Sequence, residues 1–352
     1  MGRGEGGADA MSGLRVVEVA RGDERAVAAW VDVAVTAERH DLGDHAEYWS
    51  QAELLPLVGA TEGLRQFRLF SGFLDGEVVA AGRMQLSLKD NLDLAELHVG
   101  VLPEVRRRGL GSALLTHIEA QARIAGRTRV EGFPSWLPDG PEDGAGTTGA
   151  EFARSHGFTL TLPDVQRQLH LPVPDDLLDA LTREAAPHHA GYELRSWAGP
   201  IPEDLVVSWL ELSTTLATEA PTGSGVHENE AVDVPAFRES EVLQAAQGRT
   251  MWHTVALDET RRVVAYTQLA ETLPDNPFLF QWGTLVHRDH RGHRLGLAVK
   301  VANHRAIQAG SDVAGRRTVT WNAGVNDHMI AINERLGFVR GARGGEFQKQ
   351  LD

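Results

Sequence analysis

The chain predicts an α/β (α+β) protein made of two tandem domains. Three observations carry that expectation: its length, an alternation of strand-like and helix-like runs, and a strand–turn–helix passage that occurs twice. The 352 residues suffice for two ordinary domains with a core each. The passage LHVGVLPEVRRRGLGSALL (97–115) aligns without a gap on WGTLVHRDHRGHRLGLAVK (282–300), so that Val101 matches Val286, Arg106 matches Arg291 and Gly111 matches Gly296. Gly157-Phe158 matches Gly337-Phe338 further along each half. Self-similarity on this scale marks a duplicated folding unit.

Composition narrows the function classes. With 42% apolar and 24% charged residues the chain reads as globular. A formal charge of −15 opposes nucleic-acid binding, which is built from Lys and Arg. It suits a cationic partner, although acidity also simply aids solubility. There is no cysteine, which excludes disulfides, thiolate–metal sites and a cysteine nucleophile. No apolar run reaches membrane-spanning length. Residues 1–13 read as a disordered leader without a secretory pattern, so a cytoplasmic address is expected.

In order along the chain, Leu14–Val19 predicts a strand and Asp23 caps a helix to about Glu38. The acidic, aromatic run ERHDLGDHAEYW leads to a short helix near Ser50–Leu57. Phe67–Leu74 and Val78–Leu88 pair as a hairpin through Asp75-Gly76. Asn91–Val101 is a strand, Leu110–Ala125 a helix and Arg127–Phe133 a strand. A long loop, a helix at Ala150–His156 and a strand at Val165–Leu171 close the first unit. The expected domains are 14–172 and 190–352, joined by a linker (173–189) with a helix at Asp175–Glu184 between prolines. The second half restarts with a strand at Tyr192–Trp197 and a helix at Pro202–Leu216. Strands follow at Trp252–Leu257, Val263–Ala270 and Phe278–Val286, and TVTWNAGVNDHMIAINERLGF reads as strand then helix.

The repeated passage carries the chemistry. A strand ending at Val101, a basic turn and a helix opening at Gly109–Gly111 leave several backbone N–H groups pointing at one spot. Such an N-terminus attracts phosphate, with the helix dipole adding roughly 0.3–1 kcal/mol. Glycines there let a diphosphate approach the backbone. No Gly-Lys-Ser/Thr follows, so this is not a Walker loop, and the third glycine of a dinucleotide fingerprint is missing. A bland reading is a basic turn before an amphipathic helix, and the recurrence of the passage weighs against it.

The spacing Arg106-x-x-Gly109-x-Gly111 between strand and helix resembles the acyl-CoA loop of the GNAT superfamily of N-acetyltransferases. Asn326-Asp327-His328-Met329 running to Leu336-Gly337-Phe338 resembles that family's closing segment, and the whole is similar to tandem-GNAT proteins of the mycothiol-synthase-like arrangement. The resemblance implies two GNAT-like domains, each a mixed, mostly antiparallel sheet flanked by helices. It also implies an acyl-CoA donor, most simply acetyl-CoA. Carried over residue by residue, it places the donor on Val99, Gly100, Val101, Arg106, Arg107, Arg108, Gly109, Leu110, Gly111 and Ser112 of the first half. In the second half it places it on Leu285, Val286, His287, Arg291, Gly292, His293, Arg294, Leu295 and Gly296, with Asn322 and Asn326 orienting donor or substrate. The chain departs from the family where a tyrosine would protonate the thiolate: those positions hold Ala153 and Asn333. Arg294 replaces the first glycine of the second cradle, where a right-handed helical conformation is open to it.

Acyl transfer to an amine of pKa near 10.4 needs deprotonation costing about 4.6 kcal/mol at pH 7. A positioned base contributes about 10²–10⁴ in rate, and an N–H donor must meet the developing oxyanion; the resemblance implies that this donor is backbone, near Val99–Val101 or Leu285–His287. Without cysteine, direct attack is favoured over a covalent relay. Alternation along LDLAELHVGV puts Glu96 and His98 on one strand face, which makes them the candidate base pair; the bland reading is a half-exposed polar face. The corresponding face of the second half carries Gln281 and Gly283, which are not bases.

Acidic residues recur in the loop above each cleft (Glu38, Asp41, Asp44 and Glu47; Glu219, Glu228, Glu230 and Asp233) and point to a small cationic amine acceptor. His287, His290 and His293 lack a carboxylate constellation, so no metal is expected. No nucleic-acid or membrane partner is expected, and a homodimer is compatible with the sequence. The rival reading is a non-catalytic acyl-CoA-binding or partner-binding module, favoured by the missing tyrosines.

Overall fold

A computed structural model describes residues 13–61, 63–221 and 223–352; nearly all of the expected leader, residues 1–13, lies outside them. The chain forms two compact units, each an α/β layer structure with a mostly antiparallel sheet. The first holds the described residues up to Pro163 together with Ala342–Asp352, and the second holds Asp164–Gly341.

In the first unit, strands β1 (Arg15–Glu18), β2 (Arg65–Leu74), β3 (Glu77–Ser87), β4 (Leu94–Val101) and β5 (Arg129–Gly132) lie side by side in chain order. The two-residue turn between β2 and β3 has positive φ at both Asp75 and Gly76, the mirror-image turn that matches strand twist. β4 and β5 run parallel, because helix α3 (Leu110–Ile124) crosses between them. Leu110, Leu114 and Ile118 of α3, at helical spacing, bury against Met84, Ala95, Leu97 and Val130. On the other face, helix α1 (Glu24–Leu42) turns Val27, Trp30 and Val33 onto Leu69 and Ala81. Asp23 caps α1 by accepting from the Ala26 N–H at 3.0 Å, and a short α2 (Gln51–Leu54) follows behind a capping box at Ser50. Beyond β5 come a two-residue strand β6 (Ser135–Trp136), inside what the sequence reads as loop, and α4 (Thr148–Ser155).

The domain boundary falls where the sequence does not put it. Strand β7 (Thr159–His170) belongs to the first unit up to Pro163 and to the second from Asp164. The last strand, β13 (Val339–Gln350), belongs from Ala342 onward to the first unit, where it pairs with β5 and β6. Helix α5 (Asp175–Ala185), the expected linker helix, packs Leu178 and Leu181 into the core of the second unit. Contiguous boundaries at 172 and 190 therefore give way to a first unit completed by the C-terminal strand.

The second unit continues with β8 (Glu193–Ala198), α6 (Val206–Ser213), α7 (Leu216–Glu219), α8 (Val234–Ala246), β9 (Thr250–Leu257), β10 (Val263–Glu271), β11 (Phe278–Val286), α9 (Leu295–Gly310), β12 (Arg317–Ala323) and α10 (Asp327–Leu336). Its strand order is β7-β12-β11-β10-β9-β8, with β11 and β12 the parallel pair. The helix expected over Pro202–Leu216 is broken into α6 and α7, since Thr214 and Thr215 turn their hydroxyls back onto the Leu210 and Leu212 carbonyls. Among the described residues no helix is long and apolar enough to cross a membrane.

Candidate active site

Each repeated passage folds as strand, one 3₁₀ turn, basic loop and helix. After β4, Leu102 N–H donates to Val79 O at 3.0 Å, the chain turns through Pro103–Val105, and α3 starts behind Gly109. The first closed helical bond is Ala113 N–H to Gly109 O at 3.0 Å. Among the described residues nothing accepts from the N–H groups of Leu110, Gly111 and Ser112, so three donors and the positive end of the helix dipole face outward together.

The second passage repeats this bond for bond: His287 N–H donates to Val264 O at 2.8 Å, Arg288–His290 form the turn, and Ala298 N–H closes onto Arg294 O at 3.0 Å. Both loops use two positive-φ residues, Arg107 (62°) and Gly109 (80°) in the first, Gly292 (87°) and Arg294 (53°) in the second. The duplication thus keeps the backbone shape while exchanging which position is glycine. Arg294 is left-handed, not right-handed helical as the sequence suggests, because it must start α9 as Gly109 starts α3. A left-handed non-glycine residue costs roughly 1–2 kcal/mol. Replacing exposed Arg107 by glycine is therefore expected to stabilise the first unit by about 0.5–1 kcal/mol, after the entropy glycine returns to the unfolded chain; urea unfolding reads it.

The second glycine of each loop serves packing. A Cβ on Gly111 would lie 3.2 Å from Phe152 and 3.5 Å from Val101; one on Gly296 would lie 3.2 Å from Ile332 and 3.6 Å from Val286.

The leading arginine is engaged within the protein. Arg106 donates from Nε to Val101 O (2.9 Å), from Nη1 to Asp41 Oδ1 (2.7 Å), and from Nη2 to Asp41 Oδ2 (3.1 Å) and Ala37 O (3.4 Å). Arg291 repeats the pattern on Val286 O (3.4 Å) and Glu219 Oε2 (2.8 Å), while Arg288 takes Glu219 Oε1 (2.9 Å). Asp41 and Glu219, read from sequence as cleft charges awaiting a cation, are thus paired with the cradle arginines. Asp233 likewise caps α8 by accepting from Ala236 N–H at 2.9 Å. Arg107 and Arg108 are exposed beside the free amides, and Arg294 pairs with Glu184.

The parallel strands pair only briefly. β4 and β5 are in register at Leu94–Arg129, Ala95–Val130 and Glu96–Glu131 and then part. Since Leu102 N–H points toward β3 and successive residues alternate, the N–H groups of Val99 and Val101 face the gap instead. A cavity of about 460 Å³ occupies this gap. Its apolar wall includes Leu115, Trp136, Phe152, Phe158 and Phe347; its polar wall carries Glu38, Asp41, His98 and Asp139, with no Lys or Arg among the described lining residues. Ala153, at a position where the resemblance places a tyrosine, lines it too.

Of the sequence-chosen base pair, His98 reaches the cavity and Glu96 is not among its lining residues. Glu96 instead accepts from Gln85 Nε2 at 2.6 Å and lies 4.0 Å from Arg65. Burial, with Arg83 beside it, pushes His98 down to about 4, so its imidazole is neutral at pH 7. Glu38, read from sequence only as one acid of the cleft loop, behaves oppositely. Burial first, then Glu47 and Asp41, push its carboxyl up to about 7, against the pull of Arg83. The sequence signal for it is its place at the C-terminal end of an amphipathic helix running into the acidic loop.

The second unit keeps the cradle and alters the gap. Gly283 stands where the first unit has His98, and a Cβ there would lie 2.4 Å from the Tyr266 hydroxyl. Gln281 donates to Thr267 Oγ1 (3.0 Å) and Gln268 O (2.6 Å), so this wall carries neutral groups. Asn322 accepts from Asn333 Nδ2 at 2.7 Å, and Asn326 caps α10 by accepting from Met329 N–H at 3.3 Å, so both asparagines hold the fold. Each of the three histidines has a hydrogen-bond partner within the protein: His290 the Tyr192 hydroxyl (2.9 Å), His293 the His188 O (3.2 Å), and His287 the Asp289 N–H (3.3 Å).

Residues 66–160 match the acetyltransferase (GNAT) domain family. The chain is similar in structure to a tandem GNAT protein from the clavulanic acid biosynthesis pathway, with 27% identity, 96% of this chain and 98% of that one covered, and a TM-score of 0.76. It also resembles a GCN5-related N-acetyltransferase from Sphaerobacter thermophilus (16% identity, 95% of each chain, TM-score 0.62) and one from Kribbella flavida (15%, 96% and 71%, TM-score 0.52), which share the fold. No curated protein sequence matches the chain.

Proposed function

We propose that this chain, which carries a GNAT acetyltransferase domain at residues 66–160 within a tandem GNAT fold, transfers an acyl group from acyl-CoA to a primary amine in the cavity of its first unit. Acetyl-CoA is the proposed donor, and the proposed acceptor is a small cationic amine with an apolar body. The observation that carries this reading is the cavity in the β4–β5 gap, with free helix-start amides beyond one wall and carboxylates on the other.

The amides of Leu110, Gly111 and Ser112, with Arg107 and Arg108 beside them, suit the donor's diphosphate. The gap-facing N–H of Val99 suits the oxygen that gains charge as the acyl carbon turns tetrahedral. Glu38 and Asp139 favour a protonated amine over an anionic one, and the aromatic lining favours an apolar body. In the second unit Gln281 and Gly283 stand where the first has Glu96 and His98, which supports a single transfer site.

Calorimetry with acetyl-CoA and a thiol-release assay against tryptamine, spermidine, kanamycin and glutamate test the reading. Binding of acetyl-CoA is expected, with thiol release from a cationic amine and none from glutamate. Binding without release on any amine would instead favour the acyl-CoA-binding module, to which the alanine at position 153 lends support. No heat and no change in melting temperature with excess acetyl-CoA would remove both.

A further inference from the structure

The geometry points to Glu38 as the catalytic residue that takes the proton from the acceptor amine. This rests on the transferase reading. Glu38 is on the cavity wall and belongs to a 19-residue helix, so its place is fixed by a rigid element and not by a loop. The helix packs on β4 at Gly100, where a Cβ would make ordinary contacts at 3.5 Å to Ala37 Cβ, 3.9 Å to Ala34 Cα and 3.8 Å to His98 Nε2. That packing brings Glu38 to the same wall as His98, beside the parted strands.

The carboxylates around it act in one direction and Arg83 in the other. From its own helix and the loop after it, Asp41 and Glu47 make a second negative charge unfavourable; Asp139 faces the cavity from the far side. Asp41 is partly neutralised by Arg106, and from β3 the charge of Arg83, which also acts on Glu96, favours the ionised carboxylate. From β4, His98 is neutral and Glu96 is turned to Gln85. Arg83 is itself held against Trp49, its guanidinium carbon 5.3 Å from the ring centroid. A carboxyl poised near neutral pH meets the requirement on a general base better than either residue of the strand pair. The step balances as follows: Glu38 receives one proton of the ammonium, the freed amine nitrogen bonds to the acyl carbon, the carbon–sulfur bond breaks, and the second nitrogen proton passes to the departing sulfur, so that coenzyme A leaves as the thiol.

The test uses the full chain, acetyl-CoA and tryptamine, or whichever amine of the panel turns over. In the unsubstituted protein kcat/KM is expected to rise along a limb centred near pH 7, apart from the amine's own ionisation near pH 10. Glu38→Gln should lower kcat about 10²–10³-fold, flatten that limb and leave the acetyl-CoA Kd unchanged; Glu38→Asp should restore part of the rate. Arg83→Gln should move the limb to higher pH. Turnover and limb that survive Glu38→Gln, or a limb removed by Glu96→Gln or His98→Asn and not by Glu38→Gln, overturn the assignment and leave the transferase reading standing. Absence of turnover by the unsubstituted protein sinks both.

Discussion

Replacing Lys300 by leucine is expected to raise the melting temperature of the second unit by several degrees and to remove a stabilisation that the native chain gains in alkaline solution. Lys300 lies on α9 and is 1% exposed, with its Nζ 5.5 Å from the centre of the Phe338 ring. Burial pushes its ammonium down to about 7 from its ordinary value of 10.5. Unfolded chain therefore binds more protons than folded chain between about pH 7 and 10.5, so stability rises with pH across that window and is lost as pH falls toward 7. The full span corresponds to on the order of 3–5 kcal/mol. His304, one turn along and fully buried, is pushed down to about 3 by burial and by Lys300, with neither ring nitrogen partnered among the described residues. The repeat supplies the natural replacement, because Leu115 occupies the matching position of α3 and is buried at 4% exposure. Recovering even 3 kcal/mol amounts to about 6–12 °C for a unit of this size. Thermal unfolding of both proteins from pH 6 to 10 decides it: a variant melting no higher than the native chain, with an equally steep pH dependence, rules out a desolvated amine.

The same matching of Lys300 with Leu115 shows what a sequence carries and what it withholds. The gapless alignment of 97–115 on 282–300 was enough to place strand, turn and helix twice, because periodicity and glycine position are local properties. The parallel pairs beside each helix follow from the crossover it makes. β13 was not legible: VRGARGGEFQKQ holds three glycines and alternates charge, and it becomes a strand only because β5 and β6 offer it a ladder. Helix α8 has no counterpart in the sequence reading, although Asp233 caps it and Pro235 stands in its first turn.

At the site, the free amides and gap-facing strand end follow from the local pattern. Glu38 could not be singled out, because its perturbed carboxyl depends on burial against other elements and on Glu47 and Arg83 reaching it from the loop and from β3. The pairing of Asp41 with Arg106 is tertiary as well, and it inverts the meaning of a residue that alone reads as an attraction for cationic substrate.

Arg106→Ala is expected to cost the first unit about 2 kcal/mol and to weaken acetyl-CoA binding at least tenfold. The ion pair supplies the smaller share: the Asp41 side chain is 37% exposed, and a partly solvated pair contributes about 0.2–1 kcal/mol. The larger share comes from the bond to Val101 O at 2.9 Å, since a charged donor on a half-buried carbonyl is worth about 1.5–3 kcal/mol. That bond ties the end of β4 to the loop, while the contacts to Asp41 and Ala37 tie the loop to the helix carrying Glu38. Arg106→Lys should recover only part of either loss, because an ammonium cannot reproduce the fork. Asp41→Asn separates two roles for the arginine. If Arg106 grips the donor's diphosphate itself, loosening it from Asp41 frees the guanidinium and tightens acetyl-CoA binding. If it acts by holding the loop in shape, the same substitution weakens binding, less than Arg106→Ala does, and the double variant is no worse than Arg106→Ala alone. The four contacts within the protein predict the second pattern, and calorimetric titration of the three variants with acetyl-CoA distinguishes it from the first by sign.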